Sequence, residues 1–129
     1  MSKVNFLEEI FNKEVSKDID KKINEIERLY KAKLPAHAKD FIKFNETQFY
    51  NYNESSYRLL AVKEILNANE ELEINFVKKE LLPLFDTMDN DFICYDFQQD
   101  KFCLFNIIED VKYLTVDSIE EIIKKINWL

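Results

Sequence analysis

A chain of 129 residues without a single glycine must make every tight turn with residues that carry a Cβ. Glycine enters the left-handed backbone region freely, whereas other L-residues lose roughly 1–2 kcal/mol there. Turns therefore fall to Asn and Asp, whose short polar side chains tolerate that conformation. The same absence removes whole classes of chemistry. Walker loops, dinucleotide fingerprints, EF-hand loops and the G-x-S-x-G elbow each need glycine at a fixed position. The residue chemistry points away from an enzyme, and nothing calls for a cofactor. The length suits one domain of the usual ~100–150 residues. With 47% apolar and 33% charged residues, the chain has the composition of a folded, soluble protein.

The net charge of −7 is unevenly spread. Residues 1–63 carry 12 Lys/Arg against 10 Asp/Glu; residues 64–129 carry 6 against 15. From Glu80 to Asp100 stand six acids and no base: Glu80, Asp86, Asp89, Asp91, Asp96 and Asp100. Such a field repels nucleic acid and attracts basic partners. Cys94 and Cys103 are too few for a disulfide framework and form neither a zinc motif nor a CxxC pair. They fit small buried hydrophobes in a reducing compartment. The start of the chain carries Glu8 and Glu9 where a secretory signal needs an apolar run. No apolar run approaches the ~18 residues of a membrane span, so a cytoplasmic protein is expected.

Periodicity divides the chain. Phe6, Leu7, Ile10 and Phe11, then Ile19, Ile23, Ile26 and Tyr30, recur at helical spacing. Leu34-Pro35 interrupts the pattern and admits a third helix with Ala38, Phe41 and Ile42 inward, ending near Asn45 in a left-handed cap. Residues 45–56 read as an aromatic loop and Tyr57–Ala61 as a short strand. Val62 to Val77 reads as one or two helices with a break near Asn67–Asn69. Leu82–Phe85, Phe92–Phe97, Phe102–Ile108 and Val111–Leu114 are β-branched or aromatic runs separated by polar clusters, as in an antiparallel meander. A turn at Gln98–Lys101 pairs Phe97 with Phe102 and Tyr95 with Leu104. Asp117 with Glu120 then opens a terminal helix carrying Ile119, Ile122, Ile123 and Ile126. The fold class is α+β: an antiparallel sheet of four to five strands packed against N-terminal helices and a C-terminal helix.

Candidate sites are few. His37, the sole histidine, has no nucleophile beside it and suits a surface or helix-end role. An EF-hand loop from Asp89 would need Gly at position six and Glu at position twelve, where Cys94 and Asp100 stand. No metal site is expected. Phe49, Tyr50, Tyr52 and Tyr57 serve equally well as interface anchors or as lids folded onto the core. No cluster of basic residues surrounds them to hold a phosphate backbone.

The order of features carries a resemblance. A charged helix Ile19–Tyr30 leads into Leu34-Pro35 and a short helix with Phe41-Ile42 before Asn45. A strand and a helix with Glu64-Ile65 follow, then Leu82-Pro83-Leu84, an acidic turn and Asp91-Phe92-Ile93-Cys94-Tyr95-Asp96. The series closes with Asp117-Ser118-Ile119-Glu120-Glu121-Ile122-Ile123. Between about Asp18 and Ile126 the chain resembles the SUKH superfamily, shared by fungal Smi/Knr cell-wall-synthesis regulators and many bacterial immunity proteins. The family's Asn-Gly after the third helix is Asn45-Glu46 here, and its small residues before the central strand are Asp89-Asn90. The resemblance implies one non-catalytic domain over residues 1–129, with residues 1–16 as an N-terminal helical extension. It implies an immunity protein that binds and neutralises a cognate toxin, basic and in many such pairs a nuclease. The Lys-, Asn- and Ile-heavy composition favours this bacterial branch. The alternative is an intracellular adaptor like the fungal regulators. The candidate contact residues are Asp86, Asp89, Asp91, Asp96, Tyr50, Tyr52 and Tyr57, on a monomer or weak dimer that binds neither nucleic acid nor membrane.

Overall fold

A computed structural model describes residues 4–127; the first three residues of the expected 1–16 extension lie outside it. Three helices come first, α1 (Asn5–Asn12), α2 (Ile19–Tyr30) and α3 (Ala36–Lys39). A hairpin of β1 (Gln48–Tyr52) and β2 (Ser55–Leu59) follows, then α4 (Val62–Glu71) and α5 (Phe76–Lys79). Strands β3 (Leu81–Asp86), β4 (Asp91–Asp96), β5 (Lys101–Asn106) and β6 (Val111–Val116) complete the meander, and α6 (Ile119–Ile126) ends it. All strands join one antiparallel sheet in the order β1-β2-β3-β4-β5-β6.

The fold is α+β as expected, with six strands where four to five were expected. Residues 48–52 form an edge strand instead of a loop, because Asn53, at φ 56°, turns the chain in two residues and pairs Tyr52 with Ser55. The β4–β5 register also differs. Tyr95 faces Phe102 and Asp96 faces Lys101, because Phe97 leaves the ladder and donates its N–H to Glu80 O at 3.0 Å. The pairing moves by two residues, so each side chain keeps its expected face. The third helix stops at Lys39, and Asn45 instead donates to Asp18 Oδ1 at 3.1 Å. Asn69 does not break α4. Its Oδ1 accepts the Phe76 N–H at 2.8 Å, and the break falls at residues 72–75. Ser118, not Asp117, caps α6, accepting the Glu121 N–H at 3.2 Å. β5 ends at Asn106 rather than Ile108, because the Asn106 Oδ1 accepts the N–H groups of Ile108 and Glu109 and pulls both into a turn.

Strands β3 to β5 are buried along most of their length, the signature of a sheet covered on both faces. On one face Phe6 of α1 packs on Tyr50, Tyr57 and Phe85, and Phe41 packs on Phe85 and Phe102. On the other, Phe76 of α5 packs on Phe92 and Phe105. Cys94 and Cys103 are opposite one another in the ladder, wholly buried and reduced. Burial pushes the Cys103 thiol up to about 12, which leaves it inert at neutral pH.

Eight described residues occupy the left-handed region, all without the relief of glycine: Lys31, Asn53, Glu73, Glu80, Met88, Asn90, Asp100 and Asp110. Lys31 ends α2 at φ 54°, and its side chain is exposed. Lys31→Gly is therefore expected to stabilise the fold by about 0.5–1 kcal/mol, the strain relieved less the added freedom of the unfolded chain. The midpoint of urea unfolding measures it.

A polar network fastens the first hairpin to the rest. Glu64 accepts from Arg58, from Thr47 Oγ1 and from the Ala61 N–H, the last at 3.1 Å. Arg58 also reaches Asp86 Oδ2 at 3.3 Å. Burial pushes the Glu64 carboxyl upward. The hydrogen bonds from Thr47 and Arg58, the Ala61 N–H and the Arg58 charge outweigh it, and the net shift is downward. A carboxylate lowered on folding adds stability above its unfolded value of about 4.3 and loses it as pH falls through the folded value. Glu64→Gln should thus cost more stability at pH 7 than at pH 3 in parallel urea titrations.

Candidate partner-binding surface

The β3–β4 and β5–β6 turns lie at the same end of the sheet and are stitched together. The Ile107 N–H donates to Asn90 O at 2.9 Å. Asp91 accepts from Asn106 Nδ2 at 3.0 Å through one oxygen and from the Tyr113 hydroxyl at 2.6 Å through the other. One carboxylate thereby ties β4 to its neighbour β5 and to β6 beyond. Tyr113 can reach across because it is the extra residue of a bulge: Leu104 pairs with Leu114 and Phe105 with Lys112, leaving Tyr113 unpaired. Bulges re-aim side chains in this way. Burial, then the bond to Asp91, raises the Tyr113 hydroxyl well above its ordinary value, so it stays a donor at physiological pH.

The first turn is equally fixed. Thr87 donates to Asp91 O through both its N–H (3.0 Å) and its hydroxyl (2.9 Å), and the Met88 N–H donates to Asp86 Oδ1 at 2.8 Å. Met88 and Asn90 complete the reversal at φ 69° and 64°. These bonds hold large apolar side chains out in solvent: Met88 is 58% exposed, Ile108 71% and Tyr113 52%, with Val111 beside them. Asp89 and Glu109 are exposed at the same turns, and their side chains make no hydrogen bond or ion pair among the described residues. Asp110 is held by Lys79 at 2.6 Å. The result is a hydrogen-bonded tip that is both acidic and apolar. No group of three or more His, Cys, Asp or Glu among the described residues is arranged for a metal.

The residues singled out in the sequence separate by burial. Asp89 and Asp91 stand at the tip. Asp86 faces Arg58 and shapes the turn. Asp96 is 1% exposed, bonded to Lys112 at 2.7 Å and to the Gln98 N–H at 2.9 Å; its charge is spent inside the protein. Tyr57 is wholly buried, with its hydroxyl accepting from Asn127 at 2.9 Å, and Tyr50 is buried against Phe6 at 4.9 Å. Both are core lids and present no ring to a partner. Tyr52 is half-buried against the core, and Phe49 is the aromatic of that segment turned to solvent. Met88, Ile108 and Tyr113 carry the tip instead. Their signal in the sequence is an apolar residue inside each polar turn cluster, Met88 between Asp86 and Asp89, Ile108 before Glu109-Asp110. His37 is an exposed helix-end residue bonded to Asp100 at 2.9 Å.

No helix among the described residues is long and apolar enough to cross a membrane. In comparisons with known proteins, the model of the SMI1 / KNR4 family (SUKH-1) matches residues 20–125, from α2 into α6. No curated protein matches the chain.

Proposed function

Because the chain belongs to the SMI1 / KNR4 family (SUKH-1), we propose that it is a non-catalytic immunity protein, which binds a basic toxin domain through the Met88–Tyr113 tip and blocks it. The observation that carries this reading is the tip itself. A protein of this size gains nothing for its own stability by holding the Met88 and Ile108 side chains in water, beside a Tyr113 ring half turned to solvent, and exposed apolar groups rimmed by polar residues mark interaction sites. Asp89 and Glu109 supply the negative rim, which steers a basic partner and disfavours self-association of an acidic chain. Ion pairs interrupt the longer run of carboxylates from Glu80 to Asp100. The contact is therefore a compact apolar patch with a charged border, not a strip of phosphate-like charges.

The test is a titration against the toxin domain encoded beside the gene, read by calorimetry and by toxin activity. Stoichiometric binding with loss of toxin activity is expected. Failure to bind any neighbouring toxin rejects the proposal.

A further inference from the structure

A cleft of about 210 Å³ opens at the other end of β5, between α1, α3 and the start of α6. Leu7, Phe41, Phe102 and Ile119 form its apolar floor, all buried. Phe11 stands edge-on to Phe41 at 5.4 Å and makes a half-exposed wall. The rim is acidic: Asp40, Asp117 and Glu120 line it, and His37, engaged by Asp100, is the one basic residue there. Small-molecule pockets run to roughly 300–1,000 Å³, so this volume suits a single long side chain.

Two of the three carboxylates, Asp40 and Asp117, are available to a guest. Asp40 makes no side-chain hydrogen bond or ion pair among the described residues. Asp117, 79% exposed, holds Lys101 only loosely at 3.5 Å, and Glu120 holds Lys124 one turn along α6 at 3.0 Å. The N-terminal dipole of α6 is already answered by the Ser118 cap and the first-turn carboxylates Glu120 and Glu121, which leaves the rim no appetite for an anion. An apolar trough ending in carboxylates matches a side chain with a methylene stem and a cationic head. Among such side chains arginine fits best, since its planar head both stacks on aromatic rings and takes carboxylates in a fork.

We infer that this cleft is a socket for an arginine of the protein partner, a second anchor separate from the tip. The inference rests on the partner-binding reading. The six residues of β5 put about 20 Å between tip and cleft, a span that one interface of standard size covers.

The test needs no partner protein, so it can fail while that reading stands, and the toxin titration decides the reading separately. The isotope-labelled full chain is titrated with N-butylguanidinium and, in parallel, with its neutral isostere N-butylurea, while backbone amides are followed by NMR. N-butylguanidinium should shift the amides of Asp40, Ser118 and Ile119 saturably at millimolar concentration, leaving those of Met88 and Ile108 unmoved. N-butylurea should bind at least fivefold more weakly, and Asp40→Asn, an exposed change that spares the core, should weaken N-butylguanidinium at least threefold. Equal binding of the two probes, no effect of Asp40→Asn, or unsaturable shifts spread over every acidic surface would overturn the inference.

Discussion

Replacing Lys43 by methionine is expected to destabilise the protein by about 3 kcal/mol, the largest single effect anticipated outside the aromatic core. Lys43 is only 7% exposed. Its ammonium donates to Ile10 O and Phe11 O, each at 2.8 Å, and to Lys13 O at 3.1 Å. No carboxylate pairs with it among the described residues. The C-terminal carbonyls of α1, with the partial negative charge of a helix end, take that place. In return the Lys43 carbonyl accepts from the Ser16 N–H and hydroxyl, each at 3.2 Å, so the chain after α1 is wrapped around this one residue. Methionine keeps the length and apolar stem but takes the donor from the Phe11 and Lys13 carbonyls and leaves Ile10 O only the Lys13 N–H at 3.3 Å. Hydrogen bonds from charged donors contribute about 1.5–3 kcal/mol each. The desolvation of the ammonium, which methionine does not suffer, offsets part of the total. Urea unfolding gives the magnitude, and hydrogen exchange should show α1 amides losing protection first. A change below about 0.5 kcal/mol would mean that water replaces the ammonium without loss.

On the proposed immunity role, the double variant Ile108→Ala, Tyr113→Ala should weaken toxin binding about 100-fold or more, nearly all of it in the dissociation rate, since apolar and aromatic anchors dominate interface energies. Ile108 lies in a turn and contributes little to the core, so its loss should leave the free protein intact. Tyr113→Phe separates two roles. It keeps the ring but removes the donor to Asp91, and it should cost binding only as far as the clamp orients the ring. Asp89→Lys with Glu109→Lys should act on the other rate, slowing association about tenfold at low salt and flattening its salt dependence. Both rates are read by surface plasmon resonance across a salt series. Unchanged dissociation in the apolar variant would place the contact elsewhere on the molecule.

Much of this molecule was legible in its residues. The stripes Ile19-Ile23-Ile26 and Ile119-Ile122-Ile123 gave their helices, and the aromatic runs after Leu81 gave the meander, because those patterns depend on burial alone. Boundaries were not legible, because side-chain hydrogen bonds decide them. Asn106 pulls Ile108 out of β5, Asn69 starts α5 rather than ending α4, and Ser118 takes the cap that Asp117 seemed placed to make. Strand β1 was missed because a single buried position, Tyr50, is too little for an alternation to show. The carboxylates form a run along the chain but not one surface, because linear sequence does not disclose that β4 carries Asp91 and Asp96 to opposite ends of the sheet and that Lys112 and Arg58 fold back onto Asp96 and Asp86. Tyr113 belonged to the site only through a bulge, and a skipped pairing leaves no mark in composition. Lys43 left one trace, a lone cation between Ile42 and Phe44.

Helix α1 precedes the segment that the family shares, yet Phe6 lies against Tyr50, Tyr57 and Phe85. Helix α1 is accordingly expected to melt together with the segment that the family model matches. A chain trimmed to begin at Asp20 would strip the cover from three aromatic rings at once, and the newly bared surface would drive the shortened protein to clump before it could serve any partner.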